Sequence, residues 1–243
     1  MLTDAGRKLF AEQGFVAIPD VLQPDSVENV RSRLAAVKAA AAELEYSRPG
    51  MNLECPGGGF LGQTGTVKSY RGVLRAAFHL EDIDPFFADL GQRSAIYRQV
   101  VAHLLPGRSP ALLSVNYWGK PALTGSAQPW HQDLAYLGPD LRSRHAGAVT
   151  AWVALDPARI ANGCLEFYPG SHRLGDLEHL GSTDPAAGEQ IHIDVRRLFG
   201  TTEPTAVELD PGSAVFFDGL VVHGSRENTS PVSREAISFS FLF

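Results

Sequence analysis

The second half of the chain is written in short apolar runs broken by turn-forming residues, and that rhythm restricts the fold more than any other feature. Runs at 112–118, 148–155, 164–168, 206–209, 214–217 and 236–243 have strand length and are rich in branched and aromatic residues. Between them stand Asn162-Gly163, Pro169-Gly170-Ser171 and Asp210-Pro211-Gly212, whose glycines and prolines supply the backbone angles of tight turns. Regular short strands with such punctuation imply a mainly β protein, a sandwich or a jelly roll.

Upstream of residue 111 the pattern turns helical. Thr3 is placed to cap a helix over residues 4–13, with Leu9 and Phe10 inward and Gly14 as its stop. A short strand follows at 15–18. Pro24 suits a first helical turn, and Val27, Val30, Leu34 and Val37 recur at helical spacing, which predicts a second helix reaching about residue 44. Residues 47–66 hold too many glycines and polar residues for a regular element and read as a loop that can serve as a lid. A phosphate-binding loop is excluded there, because Val67 stands where that motif needs glycine before Lys68-Ser69. Residues 83–105 predict a helical pair broken near Gly91 and closed by Pro106-Gly107. No long flexible linker divides the 243 residues, so we expect one domain, with 1–110 as a mostly helical flank and lid and 111–243 as the core.

A formal charge of -6 without basic clusters argues against nucleic-acid binding. The opening MLTDAGRKLFA lacks the apolar centre of a signal peptide, and no eighteen apolar residues run together, so we expect a cytoplasmic protein with no membrane span. Cys55 and Cys164 are too few for a disulfide framework or a thiolate zinc site.

His131-Gln132-Asp133 sets an imidazole and a carboxylate two residues apart, and on a strand such side chains leave the same face. His223, in Val221-Val222-His223-Gly224-Ser225, can add a second imidazole from a distant strand. Two histidines and one carboxylate leave coordination positions open, as non-haem iron(II) oxygenases require. The same donors also suit zinc with a hydrolytic water, so both chemistries stand on these three residues. The pair by itself is weak: 8 histidines and 14 aspartates in 243 residues give about 0.46 such pairs by chance, and a second occurs at His192-Ile193-Asp194. Weight comes from the offsets beyond His223. Ser225 lies two residues on, and Arg234 opens the last strand, where its five-donor fork can meet the carboxylate of an acidic cosubstrate.

Four stretches, in this order and spacing, resemble the phytanoyl-CoA dioxygenase family, of which ectoine hydroxylase is a member. They are Gln128-Pro129-Trp130-His131-Gln132-Asp133, then Trp152-Val153-Ala154-Leu155-Asp156, then Asn162-Gly163-Cys164-Leu165 with Pro169-Gly170-Ser171-His172, and the segment from His223 to Arg234. The resemblance implies a double-stranded β-helix, a cupin-like jelly-roll core with flanking helices. It implies iron(II) at His131, Asp133 and His223, dioxygen as oxidant, and 2-oxoglutarate gripped by Arg234 and Ser225. It also implies two cosubstrate neighbours, Trp152 and Asn116, and an assisting lysine, for which Lys68 and Lys120 are both candidates. The activity it implies is a dioxygenase that hydroxylates a C–H bond of a small molecule and releases succinate and CO2. Halogenases on this fold resemble these hydroxylases but carry a small residue where Asp133 stands, so the carboxylate favours hydroxylation, desaturation or ring closure. A zinc-dependent hydrolase and a non-catalytic metabolite-binding jelly roll are the competing classes. The expected substrate walls are the 47–66 loop, Tyr70, Arg71 and residues 134–137, with Gln128 a further pocket candidate. These residues carry no signal for the substrate's identity or the oligomeric state.

Overall fold

The structure, a computed structural model, describes residues 2–94, 96–181 and 190–243. In chain order its strands are β1 (Phe15–Ile18), β2 (Met51–Leu53), β3 (Leu74–Ala77), β4 (Ala111–Lys120), β5 (Gln128–His131), β6 (Ala148–Ala154), β7 (Leu165–Phe167), β8 (Thr205–Val207), β9 (Ala214–Asp218), β10 (His223–Ser225) and β11 (Arg234–Leu242). Seven form an antiparallel sheet in the order β1-β9-β6-β11-β4-β3-β2, and four form a second in the order β5-β10-β7-β8. The result is the jelly-roll core with flanking helices that the strand rhythm and the family resemblance predict. Among the described residues, no helix is long and apolar enough to cross a membrane.

Register explains why the large sheet has one apolar face and one polar face. In β11, Ile237, Phe239 and Phe241 alternate with Ala236, Ser238 and Ser240, and successive side chains in a strand point to opposite faces. The first set joins Val115 and Tyr117 of β4, Val149, Ala151 and Val153 of β6 and Phe216 of β9 in one buried cluster. Helix α1 (Asp4–Gln13) adds Phe10 to it, α2 (Pro24–Ala41) adds Val27, Val30, Leu34 and Val37, and Phe87 comes from α4 (Pro85–Arg93), which follows the single turn α3 (Leu80–Ile83). The opposite face carries Ser114, Asn116, Thr150, Arg234 and Ser238, all buried, with the half-buried Ser240, and it looks toward the small sheet. One end of the space between the sheets is filled by Trp152, Val215, Phe217 and Ala236 from the large sheet and Leu165, Phe167 and Val207 from the small one. Arg234 stacks on Trp152 of this cluster, and His223 packs against its Phe167 and Phe217.

The helix over Asp4–Gln13 forms with the predicted bounds and caps, Thr3 Oγ1 accepting from Gly6 N–H and Gly14 in the left-handed region at φ 85°, but only Phe10 turns inward and Leu9 is exposed. Two further expectations are corrected, and one strand is unforeseen. Residues 47–66 are not irregular throughout: they contain β2 and a 3-10 turn over Gly59–Thr64, whose glycines let the turn sit against Leu53, Ser47 and Arg75. Gly91 does not break a helix, for α4 runs through it to Arg93, and a Cβ there would press on Leu112 and Phe239 at 3.0 Å. Strand β3 has no predicted counterpart, because its short LRAA run shows no apolar–polar alternation and is buried throughout.

Leu34 is fully buried between α2 and the sheet. Leu34→Ala is expected to lower unfolding free energy by about 2–5 kcal/mol in a urea titration while leaving metal binding intact. A loss below about 1 kcal/mol would show that α2 is not part of the cooperative core.

Candidate metal centre

His131 ends β5 and His223 begins β10, and the two are direct cross-strand partners in the antiparallel register. Such partners bring their side chains together, and the ring centroids lie 4.3 Å apart. Asp133 is beyond the strand, at the start of a 3-10 turn over Asp133–Tyr136, so the same-strand argument from sequence is corrected in detail. Gln132 remains extended at φ -112°, ψ 134°, which carries the alternation one step past β5 and aims Asp133 back at the histidines. Asp133 Oδ1 lies 3.5 Å from His131 Nε2 and 3.4 Å from His223 Nε2. The three donor atoms all fall within 4.8 Å of one another, close enough to share one ion.

The histidines present the right atoms. His131 Nδ1 meets the Pro129 carbonyl at 2.7 Å and His223 Nδ1 meets the Val221 carbonyl at 3.1 Å. A carbonyl only accepts, so each Nδ1 carries the proton and each Nε2 turns a lone pair toward Asp133. Burial, then the neighbouring His223, lowers the His131 pKa and keeps its ring neutral. Burial would raise the Asp133 carboxyl, but the adjacent His223 and His131 outweigh it and hold the group well below the usual carboxylate range. Two neutral imidazoles and one carboxylate on one side of an ion fit iron(II) or zinc(II) and leave its far side to other ligands. His223 is further wedged by Phe217 at 4.5 Å and Phe167 at 5.7 Å between ring centroids.

Gln132, fully buried between the two ligand positions, ties the site to its surroundings. Its Nε2 donates to the Gly175 and Leu220 carbonyls, its Oε1 accepts from Leu177 N–H, and its backbone N–H donates to His179 Nε2. His179 is thereby a structural residue.

Arg234 opens β11 opposite Lys120 and is 2% exposed. Its Nη2 donates to the Gly163 carbonyl at 2.9 Å, its guanidinium lies 5.0 Å over the Trp152 ring, and its Nε is buried with no partner. Among the described residues no carboxylate lies within ion-pair distance of it, and burial pushes its pKa down to about 10. A buried cation so poorly neutralised is costly unless an anion joins it. Ser225 is buried two residues beyond His223 on β10. Lys120 is 5% exposed, and its Nζ donates to the Ser126 carbonyl at 2.5 Å and the Arg226 carbonyl at 2.6 Å; burial, then Arg234 and Arg75, drive its pKa well down. Lys68 lies elsewhere, 66% exposed in a surface ion pair with Glu45. Asn116 is buried on the inner face, its Oδ1 accepting from His79 N–H and its Nδ2 donating to Ser114 Oγ. The second sequence pair is structural in its aspartate: Asp194 caps the helix Val195–Phe199 by accepting from Arg197 N–H. Within the Pro169-Gly170-Ser171-His172 turn, Ser171 Oγ accepts from Val222 N–H and so braces the residue before His223.

Two residues at the centre have no counterpart in the sequence reading. Thr150 Oγ1 donates to Asp133 Oδ2 at 2.7 Å, and its position two before Trp152 on one strand face is the signal that would have found it. Arg75, on β3, is 4% exposed and donates to Ser126 Oγ, the Ala127 carbonyl and Gln128 Oε1, with Glu54 at 3.5 Å. Burial lowers its pKa, and Glu54 opposes that. Tyr136 stands edge-on to His131 at 5.4 Å, its hydroxyl accepting from Gln190 Nε2. It is 43% exposed, yet desolvation pushes its phenol up to about 12, as for a residue lining a concave wall.

A cupin-like jelly roll with two histidines and a carboxylate converging at its polar end defines a class of folds built to hold a metal ion. The chain belongs to the phytanoyl-CoA dioxygenase family, whose model matches residues 10–236. A phytanoyl-CoA dioxygenase domain-containing protein 1 homolog of Caenorhabditis elegans is 29% identical over 181 residues, covering 73% of this chain and 61% of that protein. The chain thus spans about three fifths of that relative's length. Phytanoyl-CoA dioxygenase domain-containing protein 1 of Danio rerio is 25% identical, with all of this chain and 90% of that protein aligned. In fold the chain is similar to EvdO2 from Micromonospora carbonacea var. aurantiaca, solved with 2-oxoglutarate, at TM-score 0.74 and 24% identity over 100% of this chain and 91% of that one. It is also similar to EctD from S. alaskensis, solved with bound iron, at TM-score 0.68 and 20% identity over 99% and 76%.

Replacing Arg234 by methionine removes the buried charge and keeps most of its volume. The Arg234→Met protein, free of ligand, is expected to match or exceed the wild-type melting temperature, since apolar substitutes for buried charges are often neutral or stabilising by about 1–4 kcal/mol. A clear fall in melting temperature would mean that the fold already neutralises this cation.

Proposed function

We propose that the chain is an iron(II)- and 2-oxoglutarate-dependent dioxygenase that hydroxylates a C–H bond of a small-molecule metabolite in the cytoplasm. The observation that carries this reading is a three-donor site within 4.8 Å in a jelly roll that also buries an arginine with no acidic partner among the described residues. Bound iron with 2-oxoglutarate and dioxygen supplies the oxidation: the keto acid becomes succinate and CO2, and one oxygen atom enters the substrate.

The chain's own residues bind, orient and exclude water. His131, Asp133 and His223 hold the ion on one side. Arg234, with Ser225 nearby on the small sheet, neutralises the distal carboxylate of the cosubstrate, and Lys120 stands beside Arg234 in the neighbouring strand. Trp152 and Asn116 wall this part of the cavity from the inner face. Tyr136 and Gln128 lie on the His131 side and form the wall nearest the substrate, with Arg75 tethered to Gln128 behind them. A retained metal carboxylate favours hydroxylation, with desaturation or ring closure as variants of the same chemistry. Family membership and the fold shared with proteins solved with 2-oxoglutarate or iron support the reading. A zinc hydrolase would leave Arg234 without a task, and a purely binding jelly roll would leave the three-donor set without one.

Mixing anaerobic protein with iron(II) and 2-oxoglutarate is expected to give the weak visible charge-transfer band of the chelate, and His131→Ala is expected to abolish it. An unchanged band in that variant removes the assignment. Arg234→Ala is expected to keep iron binding and to weaken 2-oxoglutarate by about 30-fold to 4,000-fold, the cost of truncating one partner of a buried charge pair. Calorimetric titration of 2-oxoglutarate checks this, and wild-type affinity in the variant would favour the hydrolase.

A further inference from the structure

We infer that Thr150 is a positioning residue that decides which oxygen of Asp133 faces the metal, an inference that rests on the iron-site reading above. The carboxylate torsion of an aspartate is broad and two-fold, so the side chain has little intrinsic preference for presenting one oxygen or both. Asp133 stands past the end of its strand with 27% of its side chain exposed, and packing alone does not hold it. What holds it is a donor from the other sheet. Thr150 Oγ1 is 2.7 Å from Oδ2, and a carboxylate can only accept, so the one hydroxyl proton points at Asp133. That leaves Oδ1 as the oxygen turned toward both imidazoles, at 3.5 and 3.4 Å from their Nε2 atoms.

The donor itself sits on rigid ground. Thr150 is 3% exposed in the middle of β6, which is paired on one side with β9 through Phe217 and on the other with β11 through Ser240. Its oxygen lies 3.5 Å from Ser240 Oγ, which can donate to it and leave its own proton free for Asp133. The arrangement holds one carboxylate oxygen back from the ion. Asp133 would then offer a single ligand atom to a bound ion. A merely structural role would predict instead that any residue filling the same volume serves equally well.

Thr150→Val keeps the volume and removes the proton, while Thr150→Ser keeps the proton and loses a methyl. Iron(II) affinity, measured anaerobically without cosubstrate, is expected to fall by about ten- to hundredfold in Thr150→Val, the usual effect of removing a hydrogen bond to a metal ligand. Thr150→Ser is expected to stay within about threefold of wild type. The charge-transfer band formed on adding 2-oxoglutarate is expected to shift or weaken in the valine variant only. Wild-type iron affinity and an unshifted band in folded Thr150→Val overturn the inference, as does a serine variant as impaired as the valine one. If the valine variant does not fold, Thr150→Ala against Thr150→Ser makes the same comparison. A wild-type protein that binds no iron(II) would sink the proposed function and this inference together. Iron binding indifferent to the hydroxyl sinks this inference alone.

Discussion

The pairing of β5 with β10 is the constraint on which the rest of the site depends. It sets His131 directly opposite His223, so that two rings from segments far apart in the chain come within 4.3 Å. A slip of one residue would turn one imbalanced strand over and send its imidazole to the opposite face. The surroundings leave little room for such a slip. Gly224 lies so close to the neighbouring strand that a Cβ would touch the Gln128 carbonyl at 3.0 Å and Trp130 at 3.2 Å. Gln132, between the ligand positions, uses both amide protons and its carbonyl oxygen to fix Gly175, Leu220 and Leu177 around the site.

A second constraint is electrostatic. Three basic side chains, Arg75, Lys120 and Arg234, are buried within the jelly roll; Lys120 feels the charge of both arginines and Arg234 that of Arg75. Arg75 has Glu54 at 3.5 Å, whereas Lys120 rests on two backbone carbonyls and Arg234 on one carbonyl and an indole face. The desolvation cost of leaving them so is large. Under the proposed function 2-oxoglutarate would offset it, its carboxylates meeting the positive field these side chains create.

Much of this was legible in the residues. The helix caps at Thr3 and Gly14, the strand runs after residue 111 and the opening of the last strand at Arg234 all follow local rules of turn chemistry and alternation, which need no partner to operate. What escaped the reading depends on partners. Gly91 looked like a helix breaker because its local propensity is poor, but its missing side chain is required by Leu112 and Phe239 from distant strands. β3 escaped because an LRAA segment has no alternation, and Arg75 with it, since nothing within the segment points to Glu54 or Gln128.

The sequence by itself determined the kind of core, the identities of the three donors and the presence of an arginine at a telling offset, because these are written in residue types and in spacings shorter than one strand. Only the tertiary structure decided that Lys120 and not Lys68 is buried beside Arg234, that Asp133 leaves the strand before meeting the histidines, and that Thr150 claims one of its oxygens. The physical reason is that each of these is a contact between groups on separate strands or turns. Its distance is set by the register of the sheets, and its strength by how completely water is removed from between them.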